Sequence, residues 1–239
     1  DLDLCETTTH VDHHALAFGD GAVYSGNDGG VYRRPLDSHS VGGWVNLNGT
    51  LHALQYYAAG VGTGASGDVI WGGTHDNGIS VLKPGADHMG AAHCCEGSDL
   101  IVDPSNPDRV AVAHVDCPVT VTTTGGVSFG GRSAWRCRGP GEEFPIWTVP
   151  LQADPFHPNR HWVVAGRFVW TTREGWDTRC PKRTNCDWSR VHDVGHDRIV
   201  SALDISRGVI YAGWCGPVTC EPDPMFASGR SAPPRGRRS

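Results

Sequence analysis

Three short stretches of the chain combine carboxylates with imidazoles, the side chains that most often transfer protons in proteins. In the first, HVDHHALAF, His10, Asp12 and His14 alternate along the chain. If this stretch is a β-strand, the three side chains share one face, because successive side chains of a strand point to opposite faces. Asp12 would then orient either histidine, or the three would form a polar cluster at a channel mouth.

The geometry of a single strand disfavours a metal site in this stretch. His10 and His14 would lie ~13 Å apart along an extended strand, which is too far for both to bind one ion. We favour a hydrogen-bonded polar cluster. A metal site that combines Asp12 with one histidine and is completed by another part of the chain stays open. We assign no metal ligand and expect no organic cofactor.

The second stretch is NDGGVYRR, in which Asp28 stands between an asparagine and two glycines. One interpretation is catalytic, since glycoside hydrolysis uses a pair of carboxylates across the scissile bond. The other is a tight turn, in which a glycine takes a positive φ and the Asp28 side chain accepts a backbone N–H. We favour the turn, and retain Asp28 and Asp12 as the candidate catalytic carboxylates.

The third group of polar residues comes from GGTHDNGIS and PGADHMG. Polar groups that converge on one cavity from several parts of a chain form a binding site, although a water-filled channel has the same composition. The candidate ligand-binding residues are His10, His14, His75, Asp76, Asn77, Asp87 and His88. We expect His10, His14 and His75 to orient a ligand, with Asp76 and Asp87 as reserve carboxylates.

An internal repeat must position these groups. The segments at 101–129 and 152–178 both run from Asp-Pro through Asn and Arg to a β-rich run, then Thr-Thr, Gly and an aromatic residue. The segment at 16–44 follows the same plan, 69–82 fits its inner part, and 203–217 begins it again. Internal repetition at a regular spacing is the mark of a repeat architecture.

Each copy consists of short runs rich in Val, Ile, Tyr, Trp and Thr, bounded by Gly, Pro, Asn and Asp, which is the pattern of strands and turns. No stretch shows sustained helical periodicity. The copies recur every ~40–50 residues, a spacing that suits the four-stranded blades of a β-propeller. The sequence therefore predicts an all-β propeller of about four to five blades, an incomplete ring.

Several stretches resemble one family of propellers. TTTGGVSF (122–129) resembles a degenerate Asp-box, the hairpin motif of BNR repeats in sialidase-like propellers, and the segments at 171–188 and 33–44 resemble looser versions. HVDHHALAF, NDGGVYRR, WVNLNGTLHALQYY and GGTHDNG together resemble xyloglucanase-like glycoside hydrolases and sortilin-type propellers. The resemblance covers nearly the whole chain to about residue 215.

This resemblance implies a function. In the xyloglucanase-like enzymes a stretch similar to NDGGVYRR holds one of two catalytic carboxylates, which would be Asp28 here, and the partner comes from a second propeller. It implies a glycoside-hydrolase-like propeller that binds a carbohydrate polymer, and hydrolysis of that polymer stays open. The alternatives are a non-catalytic sortilin-type module that binds peptide or protein in the channel, and a degraded relative without activity.

Composition narrows the partners. The formal net charge is −6, and the arginine-rich tail makes the remainder more acidic still. An acidic body argues against nucleic acid as the partner, since phosphate contacts need a basic face. No hydrophobic run approaches the ~18–20 residues of a membrane span. We predict a partial propeller over 1–226 and a disordered basic tail over 227–239.

The nine cysteines bear on localisation. CPKRTNC (180–186) and CGPVTC (215–220) have the spacing of short disulfide loops rather than of a structural zinc site. Disulfides persist in oxidising compartments, so we expect a secreted protein. A cytosolic protein with free thiols is the alternative.

Overall fold

The computed structural model describes residues 9–39, 42–52, 54–93, 97–114, 119–129, 133–135, 149–180, 186–195 and 198–215. These residues form β-strands, with short 3₁₀ helices at Asn48–Thr50 and Gly175–Asp177. Across these ranges, no helix is long and apolar enough to cross a membrane. The predicted tail at 227–239 lies outside the described residues.

The strands form five antiparallel sheets in chain order, which we call blades 1 to 5. Blade 1 contains β1 (His13–Gly19), β2 (Ala22–Asn27), β3 (Gly30–Pro35) and β4 (Val45–Asn46). Blade 2 contains β5 (Tyr56–Gly64), β6 (Gly67–Thr74), β7 (Ile79–Leu82) and β8 (Gly90–His93). Blade 3 contains β9 (Leu100–Val102), β10 (Val110–Ala113), β11 (Val119–Thr122) and β12 (Ser133–Trp135). Blade 4 contains β13 (Leu151–Ala153), β14 (Trp162–Ala165), β15 (Phe168–Thr172) and β16 (Ser189–Asp193), and blade 5 contains β17 (Ile199–Ser206) and β18 (Val209–Cys215).

Each strand pairs with its neighbour in the chain, so every blade is a simple antiparallel meander. The first strands of blades 2 to 5 contact one another in order, β5 with β9, β9 with β13 and β13 with β17. Blades stacked in order with their first strands adjacent form an arc of a β-propeller. The predicted all-β fold of four to five blades is confirmed, and the repeat copies coincide with the blades.

Stacking of the blades creates the core. On β10, Val110 and Val112 belong to a buried cluster shared with Trp71 of blade 2, whereas Ala111 and Ala113 belong to a cluster shared with blade 4. A central strand therefore buries both of its faces, and its sequence is a continuous apolar run rather than an alternating one. The strands at the two ends differ, since Phe18 of β1 is 72% exposed.

Buried aspartates stabilise the Asp-Pro turns of blades 3 and 4, and one of them also joins blade 4 to blade 5. Asp103 Oδ1 accepts the N–H groups of Ser105 and Asn106, as expected of an Asp that caps its own turn. Asp154 Oδ1 accepts the N–H of Phe156 at 3.0 Å. Asp154 also crosses to blade 5, where its carboxylate accepts the N–H of Arg207 at 3.1 Å and of Gly208 at 2.7 Å.

The predicted Asp-box stretches follow the third strands of blades 3 and 4. After β11, Thr122 Oγ1 accepts the N–H groups of Thr124 and Gly126. After β15, Thr172 Oγ1 accepts the N–H of Glu174. Each of these turns is capped by a hydroxyl group and lies where a folding element of the blade is expected. Their identification as Asp-boxes stays a prediction.

The short cysteine loop of blade 4 forms as predicted. Cys180 and Cys186 are joined by a disulfide across a separation of six residues. Cys215 is also disulfide-bonded. The predicted partner, Cys220, lies outside the described residues.

We expect Asp154→Ala to lower the free energy of unfolding by about 2 kcal/mol, because three backbone N–H groups lose a charged acceptor. Chemical denaturation at neutral pH measures this change. Asp37→Ala, which removes an exposed carboxylate, is the matched control and should leave stability unchanged. Equal stability of the two variants would contradict the role of Asp154 in joining blades 4 and 5.

The pH dependence of stability tests the same carboxylate. Burial raises the pKa of Asp154, but the hydrogen bonds from Phe156, Gly208 and Arg207 and the nearby His161 outweigh it, so the pKa lies below the ordinary 3.8. A lowered folded-state pKa adds stability above the unfolded-state value, and this stability is lost as pH falls through the folded-state pKa. The stability gap between wild type and Asp154→Ala should be full at neutral pH and should shrink in acid.

Candidate functional site

The site lies where two turns meet at the junction of blades 1 and 2. Asp28 is in the turn between β2 and β3, and His75, Asp76 and Asn77 are in the turn between β6 and β7. Asn77 Nδ2 donates to the backbone oxygen of Asp28 at 2.9 Å and to that of His75 at 3.1 Å. His10 Nε2 lies 2.9 Å from the backbone oxygen of Asp76. These contacts bring together residues that are far apart in the sequence.

Asp28 does not have the side-chain role that the turn interpretation predicts. Asn27 Oδ1, not Asp28, accepts the backbone N–H of Gly29. The Asp28 carboxylate instead contacts His14 Nε2, which donates to it. A positive φ of 109° at Gly30 is as predicted for the turn. Asp28 is thus a turn residue in its backbone, while its side chain faces the candidate site.

His10 and Asp12 precede the first strand rather than lie within it. β1 begins at His13, and Asp12 has a φ of 55°, a left-handed conformation that turns the chain. The predicted alternation of His10, Asp12 and His14 on one strand face is therefore wrong. The turn brings one ligand atom each from His10, Asp12 and Asp28 within 4.8 Å of one another.

Two glycines allow this close approach. A Cβ at Gly29 would lie 2.5 Å from the Cβ of His10, so only glycine leaves room for His10 to pack on the turn. A Cβ at Gly30 would collide with the side chain of Asn48. Asn48 clamps the turn, since its Nδ2 donates to Gly29 O at 2.7 Å and its Oδ1 accepts Val31 N–H at 2.8 Å. Sequence reasoning missed Asn48, and the Asn-Gly pair in NLNGT is the signal that could have found it.

The blade 2 turn adds an ion pair and an aromatic ring to the site. His75 Nε2 lies 3.1 Å from Asp76 Oδ2, and the ring of Tyr57 packs against His75 with centroids 5.5 Å apart. Asp76 has a φ of 57°, so both Asp12 and Asp76 stand in the left-handed region. Non-glycine residues in this region concentrate at binding sites. Asn77 Oδ1 is buried without a hydrogen-bond partner among the described residues, an acceptor that a bound water or ligand hydroxyl would satisfy.

Two predicted ligand-binding residues lie elsewhere. Asp87 and His88 are in the loop between β7 and β8, which is at the opposite end of β7 from the His75–Asn77 turn. Their side chains are almost fully exposed and pair with each other at 2.6 Å, and this hydrogen bond lowers the pKa of Asp87. The fold separates them from Asp28 by the length of a strand, ~13 Å.

His10, Asp12 and Asp28 could also hold a metal ion, because each offers one ligand atom. The contacts of His10 oppose this. Its Nδ1 lies 3.0 Å from Val11 O and its Nε2 2.9 Å from Asp76 O, so both ring nitrogens already face backbone carbonyl oxygens. A metal ion would have to displace one of these carbonyl contacts, so the geometry favours His10 as a donor beside two carboxylates.

Comparisons with solved structures give distant likenesses. A GH74 xyloglucanase from Xanthomonas campestris is 17% identical with a TM-score of 0.42, over 84% of this chain and 34% of that one. An ancestral GH74 enzyme is 14% identical with a TM-score of 0.39, over 77% and 26%. The computationally designed Ika8 protein is 19% identical with a TM-score of 0.42, over 84% and 55%.

The chain spans from about a quarter to about half of the length of these three proteins. The assignment of the fold rests on the order and stacking of the strands in this chain. No family model matches the sequence, and no curated protein matches it either.

We expect Gly29→Ala to displace His10 and to open the site, because its methyl group would occupy the space of the His10 Cβ. The imidazole resonances of His10 in a proton–carbon NMR spectrum should shift, and stability should fall by about 1–3 kcal/mol as in other overpacked sites. Gly19→Ala is the matched control, since a Cβ there meets nothing within 4 Å. Unchanged His10 resonances in Gly29→Ala would contradict the packing of His10 on this turn.

Proposed function

We propose that this chain is a glycoside-hydrolase-like propeller that binds a carbohydrate polymer at the junction of blades 1 and 2. The observation that carries the proposal is the approach of the Asp12 and Asp28 carboxylates, whose ligand atoms lie within 4.8 Å of each other. Glycosidases that retain configuration use two carboxyl groups about 5–5.5 Å apart. This proximity supports a catalytic pair within this chain, without a carboxylate from a second propeller.

The surroundings of the two carboxylates assign them different roles. The Asp28 carboxylate accepts a hydrogen bond from His14, which holds it in place. A carboxylate held in this way suits the nucleophile that attacks the anomeric carbon. Asp12 is exposed, and no hydrogen bond to its carboxylate is found among the described residues, which suits a group that exchanges protons with substrate and water.

The reaction would proceed in two steps. Asp28 forms a bond to the anomeric carbon while the glycosidic bond breaks and Asp12 protonates the leaving oxygen. Asp12 then takes a proton from water, whose oxygen displaces Asp28 and releases the sugar. The remaining groups bind substrate, since Tyr57 offers an aromatic ring for the face of a sugar and His75 and Asp76 offer polar contacts to hydroxyls.

A sortilin-type peptide-binding module is the second candidate. Leu16 and Phe18 on β1 are 62% and 72% exposed, and an apolar strand near the axis would suit a peptide side chain. The carboxylate pair favours carbohydrate, because a peptide channel needs few facing acids. Secretion remains part of the proposal, and the Cys180–Cys186 disulfide supports it.

Sugar release from a panel of β-glucans that includes xyloglucan tests the proposal. We expect the wild type to release reducing ends, and Asp28→Asn and Asp12→Asn each to reduce the rate by at least about 100-fold, the scale of lost acid–base or nucleophilic catalysis. Asp87→Asn is the matched control, because this exposed carboxylate lies at the far end of β7, and it should keep the wild-type rate.

Three further results separate the alternatives. Thermal melts must show that every variant is folded. Full activity in the presence of a chelator supports the carboxylate pair, whereas loss of activity that calcium restores would replace it with a metal site at His10, Asp12 and Asp28. A folded wild type that neither releases sugar from nor binds any member of the panel would refute the carbohydrate function and turn attention to peptides.

A further inference from the structure

A second cleft lies between blades 4 and 5, and the candidate site does not use it. Its walls come from the turn between β13 and β14, the loop after β15 and the turn between β17 and β18. The cleft measures about 510 Å³, within the usual range of small-molecule sites. The residues that line it are Phe156, His157, His161, Arg173, Arg207 and Gly208.

The topology places this cleft on the opposite face of the arc from Asp28. In an antiparallel meander, the turn from first to second strand and the turn from third to fourth strand lie at one end of the blade, and the turn from second to third strand lies at the other. The cleft uses the first kind, whereas Asp28 and Asp76 lie in the second kind. The two sites are therefore separate.

The cleft is cationic in a chain whose formal net charge is −6. Arg173 and Arg207 both line it, and no carboxylate oxygen of a described residue lies within 4 Å of either guanidinium group. Two histidines, His157 and His161, lie beside them. Unpaired arginines that converge on a concave surface are the usual means of binding a carboxylate, sulfate or phosphate group.

The carboxylate of Asp154 lies below the cleft and is engaged by other groups. Asp154 is fully buried beneath it, and its oxygens accept the backbone N–H groups of Phe156, Arg207 and Gly208. His161 Nδ1 lies 3.6 Å from Asp154 Oδ2, and its Nε2 lies 2.9 Å from Thr171 Oγ1. The carboxylate of Asp154 thus stabilises the turn below the cleft through these hydrogen bonds.

The same carboxylate holds Arg207 in place. Arg207 and Gly208 have φ values of 50° and 79°, and Asp154 binds the N–H of both residues. The Arg207 guanidinium then lies 4.5 Å from the centre of the Phe156 ring. An arginine stacked on an aromatic ring keeps its planar donors oriented, so little order is lost when an anion binds.

We propose that this cleft binds an oxyanion-bearing sugar, with Arg173 and Arg207 contacting the anionic group. A carboxylate of a uronic acid and a sulfate ester share this chemistry. The ring of Phe156, which is 53% exposed, offers an apolar surface beside the cations for the body of the sugar. The acidity of the whole chain opposes a long polyanion such as nucleic acid, whose binding needs an extended basic face.

Isothermal titration calorimetry with glucuronate, glucose 6-sulfate and glucose tests the proposal. We expect saturable binding of at least one of the two anionic sugars and none of glucose. Arg207→Gln and Arg173→Gln should each weaken binding by about tenfold or more, as loss of a charge-assisted pair predicts. Lys83→Gln, which removes one exposed cation from the β7–β8 loop, is the matched control and should change affinity by less than about twofold.

Each outcome of the titration either supports the proposal or overturns it. Preference for glucuronate or for glucose 6-sulfate supports the proposal and identifies the anion. Equal binding of glucose, no binding of either anionic sugar, or wild-type affinity in both arginine variants with normal thermal melts would overturn it. Because hydrolysis at Asp28 plays no part in this titration, the result stands apart from that of the sugar-release assay.

The pH dependence of binding gives a second readout. Burial lowers the pKa of His161, and the charges of Arg173 and His157 lower it further, against an opposing effect of Asp154. A bound anion would raise this pKa and so promote protonation of His161, which couples binding to proton uptake. Affinity should therefore increase as pH falls, by up to about tenfold per pH unit for one coupled proton. Affinity that is unchanged between neutral and mildly acidic pH would contradict electrostatic coupling between the bound anion and His161.

Discussion

The burial of both faces of each interior blade is the constraint on which the rest of this structure depends. A four-stranded sheet that covers only one face is marginal, whereas here β10 and β14 pack against a neighbouring blade on each side. Small side chains of one blade pack against large side chains of the next. The small Ala111 and Ala113 share a cluster with the large Trp162 and Trp170, and close packing of this kind fixes the spacing of the blades.

Polar side chains also link neighbouring blades through hydrogen bonds. Trp71 Nε1 donates to Pro107 O between blades 2 and 3, and Asp99 accepts Leu151 N–H and Gln152 Nε2 between blades 3 and 4. Burial raises the pKa of Asp99 although these bonds act against it. At the outer junctions the same kind of bond serves a second purpose, because Asn77 and Asp154 each hold a turn that carries a candidate binding group.

The repeat, the blades and the Asp-Pro turns could be predicted from the sequence because each depends on local preferences, namely the β-propensity of short apolar runs and the fixed φ of proline. The meeting of Asp28 with Asp76 and Asn77 could be anticipated from the repeat as well. The roles of His10 and Asp12 could not, because they depend on one left-handed residue, Asp12, after which the first strand begins.

Other features depended on which end of a strand a turn occupies. Asp87 and His88 share composition with the site but follow β7 at its far end, so the fold separates them from it. The cleft between blades 4 and 5 could not be predicted either, because it too depends on which end of a strand each turn occupies. No motif or repeat assigns a binding role to Arg173 or Arg207, and only the stacking of the two blades brings them together. The one available signal was the pair of histidines in DPFHPNRH, where the corresponding DPSNPDRV has none.

The exposed strands β1 and β18 of blades 1 and 5 have a consequence for how this structure unfolds. In a row of stacked units, each unit is stabilised by contacts with its neighbours, so a blade with an exposed face opens more readily than a blade covered on both faces. Each candidate binding region includes residues of one such blade, the first at the junction of blades 1 and 2 and the second between blades 4 and 5. Occupancy of either region would therefore stabilise the more exposed blade against local opening and raise the cooperativity of the described array.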